Sequence, residues 1–147
     1  MKLILVRHGS WDHEDGHLNG YGSEEIERLA GLMSPFVSGT VSLLTAATKR
    51  AFDSAEILGK VFNASPLRVE SLWSHPDDYP NCEGALQLIR THEADTVIVV
   101  THGEYVMCFP EFFAEKERWA QKIKPREIQK GGGLVIDDQA QTITYLG

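Results

Sequence analysis

The sequence predicts an α/β fold, a three-layer sandwich in which helices cover both faces of a mostly parallel central sheet. Short apolar runs alternate with segments whose apolar residues recur at helical spacing. The apolar runs at residues 3–6 and 96–101 are continuous, which is typical of strands buried on both faces. The 147 residues suffice for one hydrophobic core and no shift in composition divides them, so we expect a single domain over residues 1–147.

The first half of the chain predicts two strand–helix pairs. A strand over residues 3–6 leads into a polar, glycine-rich loop over residues 9–22. Ser23 is a good N-cap for the helix that follows, with glutamates in its first turn. A second strand is predicted over residues 41–44, and an amphipathic helix over residues 48–62.

The second half predicts one more strand–helix pair, a buried strand and a hairpin. A short strand over residues 67–69 precedes a helix that Asn81 caps. Residues 96–101 form the clearest strand of the chain. Residues 134–136 and 142–145 then have the pattern of a closing hairpin.

Composition and charge exclude several classes of protein. The net charge of −7 argues against a nucleic-acid-binding protein, which would carry a basic face. No apolar run approaches the length of a membrane span, and the first apolar stretch runs directly into Arg7 without the cleavage site of a signal peptide. Cys82 and Cys108 have no metal-ligand spacing and are expected to be reduced thiols. We therefore expect a cytoplasmic protein.

Four residues whose side chains can bind or attack a phosphate group follow three of the predicted strands. Arg7 and His8 follow the first strand, Arg50 follows the second, and His102 follows the strand over residues 96–101. Ligands of such sheets bind at the carboxyl ends of the strands. The arginine fork matches phosphate oxygens, and two arginines repel a metal cation. Nearby positive charge also keeps a histidine neutral and able to attack.

These residues resemble the motifs of the histidine phosphatase superfamily, whose fold is phosphoglycerate mutase-like. Its first strand ends in Arg-His-Gly, as residues 7–9 do here, and a second His-Gly pair is matched by residues 102–103. Residues 18–22, Leu-Asn-Gly-Tyr-Gly, resemble its Leu-Thr-x-x-Gly stretch. Residues 46–51 keep the arginine of its Ser-Pro-Leu-x-Arg-Ala signature as Arg50 but lack Ser-Pro-Leu. The motifs occur in the family's order.

The resemblance implies a role for each matched residue. His8 would be phosphorylated transiently, while Arg7, Arg50 and His102 would hold the phosphoryl oxygens. Water would then release inorganic phosphate, with no metal or organic cofactor. The substrate would be a phosphorylated small molecule or a phosphoprotein, and neither nucleic acid nor membrane is expected as a partner.

The general acid of the family has no counterpart at its usual place. In many members a glutamate follows the third strand, at a position that falls here near Ser74. Asp77 and Glu104 are equal candidates for a replacement, and the sequence leaves open that neither is the acid. A phosphoramidate leaves readily once its nitrogen is protonated, and short members that act on protein phosphohistidine also lack the usual acid. The short spacing here leaves no room for a large cap, so the chain resembles the short, uncapped bacterial phosphohistidine phosphatases.

The sequence leaves several alternatives open. The chain could hydrolyse a phosphomonoester or a phosphoramidate, act as a phosphoglycerate mutase-like phosphotransferase, or be a non-catalytic phosphate-binding module. Trp11 and Tyr21 could line the mouth of the site or only pack its loop. Residues 116–130 contain six basic and two acidic side chains. This basic segment could be a solvated face or the docking rim for an anionic partner.

Overall fold

The computed structural model describes residues 1–73 and 79–147. Within them the chain forms six strands and four helices of at least ten residues. In chain order they are β1 (Lys2–Arg7), α1 (Gly20–Met33), β2 (Val41–Ala46), α2 (Lys49–Phe62), β3 (Pro66–Val69), α3 (Cys82–Thr91), β4 (Thr96–Thr101), α4 (Gly103–Lys116), β5 (Gly133–Asp137) and β6 (Thr142–Leu146).

The six strands form one mixed sheet in the order β3-β2-β4-β1-β5-β6. The four strands from β3 to β1 run parallel, whereas β5 is antiparallel to β1 and β6 to β5. The predicted mostly parallel sheet and the predicted closing hairpin are therefore confirmed. The antiparallel pair lies at one edge, next to β1.

The helices cover the two faces of this sheet, which confirms the predicted three layers. Helices α1 and α2 pack against each other and against strands of one face. Helices α3 and α4 pack against each other, and α4 contacts β1 and β5. Strand β4 is buried along its whole length, and the side chains of residues 3–6 in β1 are at most 2% exposed. The continuous apolar runs thus mark the two central strands.

The start of α1 differs from the prediction. Asn19, rather than Ser23, is the N-cap, and its side-chain oxygen accepts a hydrogen bond from the Gly22 amide at 2.8 Å. Ser23 lies inside the first turn, where its amide donates to the Asn19 carbonyl. The helix therefore includes three residues that the glycine-rich pattern assigned to the loop. The predicted cap at Asn81 is confirmed, since its side chain accepts from the Gly84 amide.

In the described part of the chain, none of the helices is both long and apolar enough to span a membrane.

Candidate active site

Three parallel strands bring the candidate residues to one edge of the sheet. Arg7 of β1 pairs in register with Thr101 of β4, so His8 and His102 are the residues that leave the sheet side by side. Their ring centroids are 5.2 Å apart. Arg50 lies in the first turn of α2, just after β2, and its guanidinium reaches His8. The predicted gathering of these four side chains is what the structure contains.

Hydrogen bonds define the tautomer of the buried His8 ring. Its Nδ1 lies 2.9 Å from the Gly9 carbonyl oxygen, which can only accept, so Nδ1 carries the proton. The Nε2 atom then has a free lone pair, and it accepts a hydrogen bond from Arg50 Nε at 3.3 Å. The geometry therefore presents Nε2 as the nucleophilic atom, with a guanidinium beside it.

Both histidines are held neutral. Burial lowers the pKa of His8 to about 3, against the opposing effect of its bond to the Gly9 carbonyl, and the charges of His102, Arg50 and Arg7 lower it further. Burial also lowers the pKa of His102 to about 4, and Arg50 and Arg7 add to that shift. The sequence attributed the neutral ring to positive neighbours, whereas loss of hydration is the larger cause.

Arg7 is fixed by the chain segment that precedes β5. Its Nη1 donates to the Ile128 carbonyl at 2.7 Å, and a Cβ atom at position 103 would lie 3.1 Å from the guanidinium carbon. Its buried Nε has no hydrogen-bond partner among the described residues. Because an unpaired buried donor is costly, this N–H is available to an incoming anion.

The same holds for two further buried polar atoms. His102 Nε2 and Thr48 Oγ1 also lack a partner within the described ranges. Thr48 is the N-cap residue of α2, two positions before Arg50, and sequence reasoning missed it because a threonine at a helix start usually signals capping alone. With its proton on Nε2, His102 can donate to a phosphoryl oxygen.

The loop after β1 is tied to α2 by one hydroxyl. Ser54 Oγ donates to the Arg50 carbonyl at 2.8 Å and accepts from the Gly9 amide at 3.1 Å. The Ser54 hydroxyl therefore connects the segment that contains His8 to the helix that contains Arg50. In the sequence, Ser54 and Ala55 resemble the Thr-Ala pair that follows the arginine of the family signature, but that resemblance gave Ser54 no role.

The two glycines beside the histidines have packing roles. A Cβ atom on Gly9 would lie 2.7 Å from the Gly22 carbonyl oxygen, inside the contact distance real side chains keep. The tight contact at Gly103 is with Arg7. Because neither residue has a side chain, a phosphate could also approach the backbone closely at both positions. In the folded chain, close packing alone favours a glycine at each of these positions, with or without a ligand.

Trp11 forms the wall of the site on the side of the loop. Its ring lies 5.1 Å from the His8 ring, and the Arg50 guanidinium lies 4.5 Å above its centroid. Lys130 Nζ is 4.6 Å from the same centroid. Trp11 is held there by an isolated bridge with Leu18 across the loop. Tyr21 is 69% exposed and lines a neighbouring cavity.

Of the two candidates for the general acid, the structure describes only Glu104. Glu104 lies exposed in the first turn of α4, and its negative charge raises the pKa of both His102 and Arg50 against the lowering effect of burial. It is therefore close to the cluster but belongs to its exposed rim. Asp77 lies outside the described residues.

Solved structures identify the fold. The protein histidine phosphatase SixA complexed with tungstate is 19% identical, with a TM-score of 0.72, over 100% of this chain and 95% of that chain. This chain has the histidine phosphatase fold. A mycobacterial glucosyl-3-phosphoglycerate phosphatase complexed with VO₃ is 12% identical, with a TM-score of 0.71, over 98% of this chain and 96% of that one. A phosphoserine phosphatase from Entamoeba histolytica in complex with 3-phosphoglyceric acid is 14% identical, with a TM-score of 0.67, over 99% of this chain and 95% of that chain. The fold that the sequence motifs implied is thus confirmed.

Sequence comparisons add little to this finding. No protein-family model matches the chain. The curated GDP-fucose protein O-fucosyltransferases 2 of Homo sapiens and Pan troglodytes are 33% identical over 82 residues, which cover 49% of this chain. The match spans only 18% of the length of those relatives, and an alignment of that extent assigns no activity to the chain.

Proposed function

We propose that this chain is a phosphatase that hydrolyses a phosphomonoester or a phosphoramidate through a phosphohistidine on His8. The observation that carries the proposal is the tautomer of His8: Nδ1 is committed to the Gly9 carbonyl, and Nε2 has its lone pair beside the Arg50 guanidinium. Residues 1–147 would form one histidine phosphatase domain. The two free thiols fit a cytoplasmic location.

The first chemical step transfers the phosphoryl group to the enzyme. The Nε2 lone pair of His8 forms a bond to phosphorus, while the bond from phosphorus to the leaving oxygen or nitrogen breaks. The leaving atom takes that electron pair. An ester oxygen also takes a proton, for which Glu104 is a candidate donor, whereas a phosphoramidate that is already protonated needs none. Donors of Arg7, Arg50 and His102 would stabilise the charge on the three remaining oxygens, which is electrostatic stabilisation by preorganised groups.

The second step releases inorganic phosphate. A water oxygen bonds to phosphorus, the bond between phosphorus and Nε2 breaks, and Nε2 recovers its lone pair. The two protons of the water stay on the released phosphate, except that one returns to the general acid where that acid has protonated an ester oxygen. Because burial keeps the pKa of His8 near 3, the regenerated ring is neutral and ready for another turnover at neutral pH. These two steps use only side chains and water.

Protein phosphohistidine is the substrate class that this proposal favours. A protonated phosphoramidate nitrogen is a good leaving group, so it tolerates an exposed acid such as Glu104 better than an alkoxide would. The named structural neighbour SixA is a protein histidine phosphatase, which supports the same choice. The net charge of −7 makes nucleic acid an unsuitable substrate.

The proposal is tested by substituting the nucleophile. Wild type and His8→Ala are incubated with a chromogenic aryl phosphate and with phosphohistidine, and released phosphate is measured. We expect His8→Ala to lose about 10³-fold or more in rate, as removal of a nucleophile does elsewhere. His92→Ala is the matched control, since His92 is the C-cap residue of α3 and lies outside the cluster.

Three outcomes would contradict the proposal. Wild type that releases phosphate from neither substrate would favour a non-catalytic phosphate-binding module. Activity that survives in His8→Ala would refute the mechanism. Transfer of the phosphoryl group to an added alcohol in preference to water would favour a mutase-like phosphotransferase. A phosphoenzyme that is labile in acid and stable in alkali supports phosphohistidine.

A further inference from the structure

Three cavities that share lining residues follow one another from residues 121–126 to Arg7 of the candidate active site. A cavity of about 500 Å³ lies between residues 121–126 and the β6 side chains of Ile143 and Tyr145. A smaller one of about 200 Å³ shares Arg126 and Tyr145 with it. A third, of about 520 Å³, shares Gly147 and residues of the 127–129 stretch with the second and extends to Arg7 and Ser10. We call these three cavities together the basic track.

The track carries a concentration of positive charge that contrasts with the rest of the molecule. The chain as a whole has a net charge of −7, yet four cations and one carboxylate fall within residues 121–130. Lys122, Lys124 and Arg126 are exposed at the distal end. Among the described residues, none of the salt bridges involves these three side chains. Their charge is therefore available to a partner.

The proximal end of the track is attached to the catalytic cluster. Lys130 lines the third cavity and places its Nζ 4.6 Å from the Trp11 ring centroid, while the same ring lies against His8. Arg7 contributes to that cavity as well as to the phosphate site, and Arg28 of α1 adds another cation. A ligand with its phosphoryl group at His8 can thus continue directly into the track.

We propose that the basic track binds an acidic polypeptide that carries the phosphorylated residue, an inference that rests on the proposed phosphatase function. Acidic side chains flanking the phosphorylated residue would meet Lys130 close to the site and residues 122–126 further along. Ile143 and the Tyr145 ring, over which the Arg126 guanidinium lies at 4.2 Å, give this cavity an apolar part that suits the side chains of a polypeptide. The local positive charge of the track favours an acidic chain over a neutral one.

A nucleic acid fits the same track less well. Glu127 lines both the second and the third cavity, and Glu25 lines the third. A phosphodiester chain carries a negative charge on every nucleotide, so it would face both carboxylates with like charge. A polypeptide can place neutral or basic residues at those positions.

Binding and catalysis provide separate tests. The binding probe is a fluorescein-labelled, unphosphorylated decapeptide in which aspartate and glutamate flank a central histidine, and anisotropy reports its Kd. We expect the double reversal Lys122→Glu with Lys124→Glu to weaken binding about 10-fold, since each exposed charge contributes modestly. The reversal Lys60→Glu with Arg68→Glu is the control, because those residues lie on α2 and β3, away from the track.

The catalytic test compares two substrates. In the Lys122→Glu, Lys124→Glu variant we expect kcat/KM to fall about 10-fold for the phosphohistidine form of the decapeptide and to stay unchanged for the aryl phosphate. The unchanged aryl phosphatase rate also shows that the variant is folded.

Failure of the proposed phosphatase function and failure of the track proposal give different results. If the wild type hydrolyses neither substrate, the proposed function fails, while anisotropy still decides whether the track binds the peptide. If the wild type hydrolyses both substrates and the reversal alters neither Kd nor kcat/KM for the peptide, the track proposal alone is overturned. Binding of a single-stranded oligonucleotide as tightly as the peptide would also overturn it.

Discussion

The candidate site has a buried floor and an exposed rim, and the two are built in different ways. The floor consists of the buried His8 and His102 and the half-buried Arg7 and Arg50. Strand ends, the start of α2 and hydrogen bonds hold these side chains in place. The rim consists of Glu104, Trp11 and Lys130, which project from a helix start and two loops. The floor supplies what every phosphoryl transfer needs, a nucleophile and fixed donors. The rim supplies what differs between substrates, namely leaving-group chemistry and docking.

The largest expected effect comes from the floor. Arg50→Ala removes the guanidinium that donates to His8 Nε2, and with it the fork for phosphoryl oxygens. We expect kcat/KM for an aryl phosphate to fall by about 10²–10³-fold, the usual cost of one preorganised donor to developing charge. The measurement is steady-state hydrolysis at neutral pH.

Arg68→Ala is the matched control for that substitution. Arg68 also stacks on an aromatic ring, that of Phe52 at 3.9 Å, but it lies on β3 outside the floor. Its loss should leave the rate within about 2-fold of wild type. Equal losses in both variants would mean that a general effect of arginine removal, and not the floor, explains the result.

The same division explains how far sequence reasoning reached. The floor was predictable because continuous apolar runs identify β1 and β4, and the residues that follow buried parallel strands must meet at one edge. The roles of Thr48 and Ser54 were not predictable, since they depend on which atoms face these hydroxyls in the folded chain. The start of α1 was misplaced because glycines at 20 and 22 favour a loop, whereas the Asn19 cap decides the boundary.

The basic segment shows a second limit. Its composition was evident, and the sequence left open whether it is a solvated face or a docking rim. Only the fold brings residues 121–126 beside β6 and Lys130 beside Trp11. Long-range contacts of this kind leave no local pattern in a single sequence.

A second expected effect concerns the stability of the floor. The pKa of His8 is lowered to about 3 and that of His102 to about 4, from an ordinary value of 6.5. As the pH falls below 6.5, the unfolded chain binds protons that the folded protein does not, so the free energy of unfolding decreases. Between pH 7 and pH 5 we expect a loss of about 2 kcal/mol for each of these histidines.

Urea denaturation of wild type, His8→Gln and His102→Gln at the two pH values measures this loss. Each substitution removes one of the two buried histidines, so each should reduce the pH dependence by about 2 kcal/mol. A pH dependence that is the same in all three proteins would show that water hydrates both rings in the folded protein, which contradicts their burial.

The smallest expected effect tests the rim. Glu104→Gln keeps the shape of the side chain but removes its charge and its proton, so it separates general acid catalysis from packing. We expect kcat for an alkyl phosphate to fall about 10-fold or more, because an alkoxide must be protonated as it leaves. Hydrolysis of phosphohistidine should change less than 2-fold, because its nitrogen is protonated beforehand.

Glu111→Gln, on a later turn of the same helix, is the control. If Glu104→Gln hydrolyses both substrates at the wild-type rates, Glu104 is not the general acid. Asp77 is then the remaining candidate that the sequence named. An equal loss on both substrates would instead place Glu104 among the groups that support the floor, through its charge on His102 and Arg50.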